Sequence, residues 1–394
     1  MRPTFEVADI FRRHGFSYKR ENASHLGRGE RRVMGAIEAC RTSRLGGHVD
    51  ACDDCGTTRV SFNSCRSRHC PKCQGSARRE WVDARVADLL PVPYFHVVFT
   101  LPPAIAEIAF QNKALVYALL MRLSAETLQT IASNPKWLGA EIGVTAVLHT
   151  WGQAMIHHPH VHCVVPGGGI APDKSRWVAC RPGFFLPVRV LSRLFRRLFL
   201  ASLDEAFAQG ELSFFNELAH LNDPTIFDRH LAQARSIDWV VYCKPPFGGP
   251  DQMLAYLGRY THRVAIANSR IVDVNDDHVA FRWKDYRHRG HEQQKIMRLA
   301  PHEFIRRFLL HVLPDGFHRM RHFGFLANSH RRARIDLCRR LLAQPVATDR
   351  QSRPDKQQSS QSYECPDCRR PMRRTGIILP AAPPRPSAFR CDTS

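Results

Sequence analysis

Apolar residues recur along this chain at two different periods. Val7, Ile10 and Phe11 make one helical stripe and Val33, Met34 and Ile37 another, so residues 1–47 are predicted to be helical. Further on, short apolar runs take the spacing of strands. Residues 94–101 predict a strand halted by Pro102 and Pro103, and residues 104–132 a long apolar helical region. Residues 143–149 and 160–165 predict two more strands, with a turn at Gly167, Gly168 and Gly169. An amphipathic helix is expected over 190–208 and a fourth strand over 237–242. After a Pro- and Gly-rich loop, Pro250 suits the first turn of a helix over about 251–261. Strands are expected at 264–267, 270–274 and 278–283, the last two joined by a turn at Asn275, Asp276 and Asp277. Residues 301–342 look helical and basic, and 344–362 turn polar, as in a linker. Strands without regular alternation with helices predict an α+β fold, built on a mostly antiparallel sheet with packed helices.

Composition narrows the partners. The chain has 394 residues, of which 44% are hydrophobic, enough for a sizeable core. Lys and Arg outnumber Asp and Glu by 57 to 36, giving a net charge of +21. Such a field attracts polyanions, and the arginines are spread through folded-looking segments rather than confined to a tail. Nucleic acid is therefore the expected partner. No apolar run approaches the roughly 20 residues needed to span a bilayer, and the first residues lack an apolar signal core. A cytoplasmic, nucleoid-associated protein with no membrane partner is expected.

The 13 cysteines are clustered. Cys52 with Cys55 and Cys70 with Cys73 form two Cys-x2-Cys knuckles, a spacing that predicts one structural four-cysteine Zn2+ site. Cys65, His69 and His48 lie close enough in sequence to substitute as ligands. Cys40, Cys163, Cys180, Cys243 and Cys338 are expected to be small buried hydrophobes. Cys365 and Cys368 make a third knuckle with only Cys391 beyond it, so no complete site is expected there. Arg66, Arg68, Lys72, Arg78 and Arg79 crowd the second half of the zinc segment and the helix expected after it. They suit a phosphate-contacting surface, or simply a solvated basic face.

Two further features carry chemistry. In His160-Val161-His162, strand alternation aims both imidazoles to one side, where they can share a metal ion, while Val161 packs behind. Tyr256 and Tyr260 stand at helical i, i+4 spacing, which brings two phenols to one face. Either feature alone has an ordinary packing explanation. Their combination in a strongly basic chain points to phosphodiester chemistry.

Longer runs give a specific resemblance. Residues 63–74, the His158–Cys163 run, residues 256–266 (beginning Tyr256-Leu257-Gly258-Arg259-Tyr260) and residues 316–328 together resemble the insertion sequence 91 family of transposases. The resemblance covers residues 5–342. It implies an HUH-nuclease-type catalytic sheet and a two-tyrosine, rolling-circle mechanism. The expected organisation is an N-terminal helical and zinc-binding domain (1–90) and a catalytic domain (91–290). Beyond these are expected a basic helical DNA-binding region (291–343) and a linker with a partial cysteine knuckle (344–394).

The resemblance also implies roles. His160 and His162 would hold Mg2+ or Mn2+. Gln153, seven residues ahead of His160, is placed where related nickases carry a third ligand, with His149, His158 and His262 as competitors. Tyr256 and Tyr260 would attack single-stranded DNA at the element ends and leave a 5′-phosphotyrosine. Arg259 and Arg263 would favour phenolate or clamp phosphate. Arg331 and Arg332, with the zinc module, would bind the ends, and Arg282 and Trp283 could stack on bases while Phe281 packs inside. Two rival readings remain at this point: a replication initiator or relaxase with the same chemistry, and a non-catalytic zinc DNA-binding protein.

Overall fold

The structure is a computed structural model, and it describes residues 3–75, 82, 85–86, 88–244, 252–253, 258, 265–285, 294–342 and 363–381. The chain divides into two compact units. One holds residues 1–5 and 74–348, the other residues 6–73 and 349–394.

The larger unit is α+β, built on a five-stranded antiparallel sheet. Its strands are β3 (Tyr94–Thr100), β4 (Gly143–Trp151), β5 (His157–Pro166), β8 (Val241–Lys244) and β12 (Met320–Gly324), in the order β12-β4-β5-β3-β8. Strand alternation divides the sheet's side chains cleanly. Phe95, Val97 and Phe99 of β3, Val144, Ala146 and Leu148 of β4, and Val161, Cys163 and Val165 of β5 join the main core. Helices α3 (Pro103–Gln111), α4 (Lys113–Ser133), α5 (Val188–Ala208) and α6 (Pro224–Ser236) supply its other half. On the opposite face, Tyr94, Val147 and Val164 pack with Ile170, Phe325 and Ile335. Two residues further along the same strands, that face carries imidazoles instead: His96, His149 and His162.

Local chemistry sets the helix starts. Pro103, Pro224 and Pro301 each occupy a first turn, where the missing N–H costs nothing. Asp223 caps α6 by accepting from the N–H groups of Thr225 and Ile226 at 2.8 and 3.1 Å.

Some elements differ from expectation. Trp239 is pulled out of the predicted 237–242 strand into the core, where it packs on Phe195 and Phe199, and pairing begins only at Val241. Two of the three glycines expected to turn at 167–169 instead lie in a short strand, β6 (Gly168–Ile170), paired with β7 (Trp177–Ala179). Residues 265–267 are not a strand. The hairpin after them, β9 (Ile271–Val274) with β10 (Val279–Lys284), forms as predicted and gains β11 (Gln294–Leu299). The basic segment 301–342 is interrupted. Between α7 (Pro301–Leu309) and α8 (Arg331–Leu341) runs β12, which pairs with β4 and so ties residues 320–324 into the central sheet. Gly324 ends that strand at φ +59°, where a Cβ would collide with the carbonyl oxygen of Ile142.

The smaller unit holds α1 (Val7–Glu21) and α2 (Arg28–Ala39), joined by a Lys19–Glu38 ion pair at 2.7 Å. Its sheet has the order β13-β1-β2, with β1 (Gly47–Ala51) between β2 (Thr58–Phe62) and β13 (Arg373–Ile378). Residues 363–381 thus return to the N-terminal unit, where a partial knuckle on a linker was expected. No helix among the described residues is long and apolar enough to cross a membrane.

Candidate metal centres and the histidine cleft

Antiparallel pairing sets His149 of β4 directly opposite His160 of β5, and Val147 opposite His162. Directly opposed residues point the same way, so His149, His160 and His162 converge. One ring nitrogen from each lies within 4.8 Å of the others. The His149 and His162 ring centroids are 4.3 Å apart. Trp151 stacks on His149 at 4.4 Å.

A hydrogen bond fixes which nitrogen of His160 remains. His160 Nδ1 donates to the His158 carbonyl at 2.7 Å, which leaves Nε2 with its lone pair. His162 Nδ1 lies 2.7 Å from Nε2 of His96. Burial lowers His160 to about 4. It lowers His96 to about 3, with Lys244 and His160 adding to the effect. Burial chiefly, and then the neighbouring histidines and Lys244, hold His162 well below the ordinary value. All three rings are therefore neutral at pH 7, the form that can bind a cation.

These histidines line a cleft of about 490 Å3, together with Gln153, Lys244, Arg270, Trp283 and Lys284. Gln153 belongs to the loop joining β4 to β5, which is held by its carbonyls. Arg270 donates to the Gln153 carbonyl at 2.6 Å, Arg307 to that of Ala154 at 3.1 Å and His311 to that of Met155 at 3.1 Å. The third nitrogen beside the histidine pair comes from His149. The signal for it was available: in a hairpin, the residue opposite the first histidine shares its face. Tyr256, Tyr260, Arg259, Arg263 and His262 lie outside the described residues, as do Arg78, Arg79 and Cys391.

The cysteines group otherwise than expected. Cys52 and Cys55 do not meet Cys70 and Cys73. Cys40, Cys65, Cys70 and Cys73 form one tetrad, and Cys52, Cys55, Cys365 and Cys368 another. The reason is the hairpin between the knuckles. Cys52 and Cys55 occupy the tip joining β1 to β2, whereas Cys70 and Cys73 come after β2 has run back. A five-residue strand rises about 3.3 Å per residue, roughly 16 Å in all. Each knuckle therefore needs a second pair from elsewhere. Cys40, expected as a buried hydrophobe, and Cys65 supply one; the C-terminal knuckle supplies the other. Of the competing ligands, His48 faces Asp50 at 3.4 Å and His69 is buried outside both tetrads. In the first tetrad, Cys73 Sγ lies 3.5 Å from that of Cys40 and 3.6 Å from that of Cys65. A disulfide needs about 2.05 Å. Four sulfurs about 2.3 Å from one zinc stand roughly 3.8 Å apart, so the tetrad fits structural zinc.

The basic candidates separate as well. Arg66, Arg68 and Arg332 are exposed. Arg331 is half-buried, 3.6 Å from Asp88, and donates to the Leu326 carbonyl at 3.2 Å. Phe281 is fully buried, 5.9 Å from Phe304, as expected, while Trp283 reaches the cleft.

Two family models match this chain. A family model described as "Transposase zinc-binding domain" matches residues 10–101, and one described as "Putative transposase" matches residues 143–334. The chain is 59% identical over 371 residues to "Putative transposase y4qJ" of Sinorhizobium fredii, covering 92% of each. It is 29% identical over 299 residues to "Transposase for insertion sequence element IS801" of Pseudomonas savastanoi pv. phaseolicola, covering 74% of this chain and 68% of the relative. No solved structure matches. The zinc-binding and transposase matches, in that order along one chain, together with the near-full-length relative, place this protein in the insertion sequence 91 family of transposases, enzymes that act on DNA.

Proposed function

We propose that this transposase nicks and rejoins single-stranded DNA at insertion-sequence ends, driving rolling-circle transposition through Tyr256 and Tyr260. The observation that carries the proposal is the convergence of His149, His160 and His162 in a cleft edged by Lys244, Arg270 and Lys284. Three imidazoles converging on one point offer nitrogen ligands, so the residues fit a divalent ion that accepts nitrogen. Of the two ions expected, Mn2+ suits this set better than Mg2+, which favours oxygen ligands. A bound ion would draw charge from a non-bridging phosphate oxygen. Gln153 lines the same cleft, where its amide could add an oxygen ligand or orient DNA.

The protein's own groups do the rest. Lys244, Arg270 and Lys284 give the cleft a positive wall that holds neighbouring phosphates. A phenol, with an ordinary pKa near 10, loses its proton and its oxygen attacks phosphorus. The bond from phosphorus to the 3′-oxygen breaks, and that oxygen departs with the electron pair and takes a proton. A 5′-phosphotyrosine and a free 3′-OH result. The linkage keeps the bond energy, so rejoining needs no nucleotide cofactor. The second tyrosine allows a second cut before the first link is resolved. Support for the two tyrosines is the family motif in the sequence. A DNA substrate places the protein with the nucleoid in the cytoplasm.

The test is direct. An oligonucleotide carrying the element end, incubated with the protein and Mn2+, should yield a covalent adduct that protease removes. Binding without any adduct would favour the non-catalytic reading.

A further inference from the structure

The second cysteine tetrad lies partly outside the matched zinc-binding segment, and it is independent of the catalytic reading. We propose that Cys52, Cys55, Cys365 and Cys368 hold a second structural zinc ion, which fastens the C-terminal segment 363–381 to the N-terminal hairpin.

Geometry supports the site at three levels. First, the sulfurs are spaced for one shared ion. Cys52 Sγ lies 3.4 Å from Cys368 Sγ, and Cys55 Sγ 3.5 Å from Cys365 Sγ. These distances are too long for disulfides and close to the edge of a zinc–sulfur tetrahedron.

Second, the two knuckles are the same turn built twice. The Gly56 N–H donates to the Cys52 carbonyl at 3.0 Å, and the Cys52 N–H donates to that of Thr57 at 2.9 Å. In the other knuckle, the Arg369 N–H donates to the Cys365 carbonyl at 2.9 Å, and the Cys365 N–H donates to that of Arg370 at 2.7 Å. The residue four after the first cysteine is left-handed in both: Gly56 at φ +72° and Arg369 at φ +60°. A non-glycine residue held there marks a turn fixed by something other than backbone preference. Four thiolates sharing one cation would supply that constraint.

Third, the segments around the tetrad are complementary. β13 pairs with β1 from Gly47↔Ile378 to Ala51↔Arg373. Arg373 forks onto the Asp53 carboxylate with two contacts of 3.2 Å, and Thr57 donates to Asp367 at 2.7 Å. Among the described residues, three buried apolar residues cluster here: Cys52, Cys365 and Met372. So small a core does not hold a strand, and metal ligation is what such segments use instead.

The first measurement is the metal content of the full-length protein by native mass spectrometry and elemental analysis. Two zinc ions per chain are expected. Cys365→Ser with Cys368→Ser should lower the content to one, while Cys391→Ser should leave two. A content of one in the unaltered chain, an unchanged content in the double variant, or iron in place of zinc would each overturn the proposal. A second readout does not depend on a variant folding. Limited trypsin digestion of the unaltered protein should leave Arg373 and Arg374 uncut until a chelator is added, and then release the C-terminal segment. Equal cutting with and without chelator would overturn the fastening role.

Discussion

Nε2 of His96 lies 2.7 Å from Nδ1 of His162, and the two rings are parallel to within 1°. This contact engages one nitrogen of His162. In the proposed metal site His96 would act through His162, holding the orientation of its ring, as partners behind metal-ligating histidines commonly do. His96→Ala should weaken Mn2+ binding by about 10–100-fold, with cleavage recovering at high Mn2+. Titrating adduct formation against Mn2+ checks this, and an unshifted metal dependence would assign His96 to packing alone.

The hairpin register gives a sharper comparison. His149→Ala should be as damaging as His160→Ala or His162→Ala, each removing one of three nitrogens. Gln153→Ala should cost much less, and Mn2+ should support cutting better than Mg2+. Cleavage that survives His149→Ala but not Gln153→Ala would restore an oxygen ligand and reverse the metal preference.

His311 predicts acid sensitivity. It donates from Nε2 to the Met155 carbonyl and accepts at Nδ1 from the Thr150 hydroxyl at 3.1 Å. Burial lowers it to about 3, against about 6.5 in the unfolded chain. The neutral form is therefore native at all ordinary pH. As pH falls below 6.5 the unfolded chain binds a proton that the native state refuses, so stability declines until about pH 3. From pH 6.5 to 5 this one group accounts for about 2 kcal/mol. Urea midpoints measured across that window should fall, and less steeply in His311→Gln. Equal slopes would show that His311 is protonated alike in both states.

Two neighbouring arginines should behave differently. Arg331→Ala should mainly lower stability, because Arg331 is committed to Asp88 and the Leu326 carbonyl. The exposed Arg332, as a phosphate contact, should on truncation weaken DNA binding and reduce its salt slope by about one. Binding isotherms at several salt concentrations, beside melting curves, separate the two roles.

The central sheet was legible because its strands are continuous apolar runs, and Val161 packs into the core as alternation requires. The paired histidines were legible for the same reason. The rest depended on pairing over long separations. Met320–Gly324 has too few apolar residues to stand out within a basic segment, and its partner β4 lies far earlier in the chain. The zinc ligands show the same limit. Counting Cys-x2-Cys knuckles finds the motif, but only the hairpin's length decides which pairs meet. Cys365 and Cys368 lie some 310 residues from Cys55 and Cys52.

The most direct measurement of the account is the chemical identity of the covalent adduct. After reaction with an element-end oligonucleotide and Mn2+, protease digestion and mass spectrometry should place a nucleotide 5′-phosphate on Tyr256 or Tyr260. No adduct should form when His160 and His162 are both alanine. A nucleotide on any other residue, or efficient strand cutting with no protein-linked product, would contradict the account.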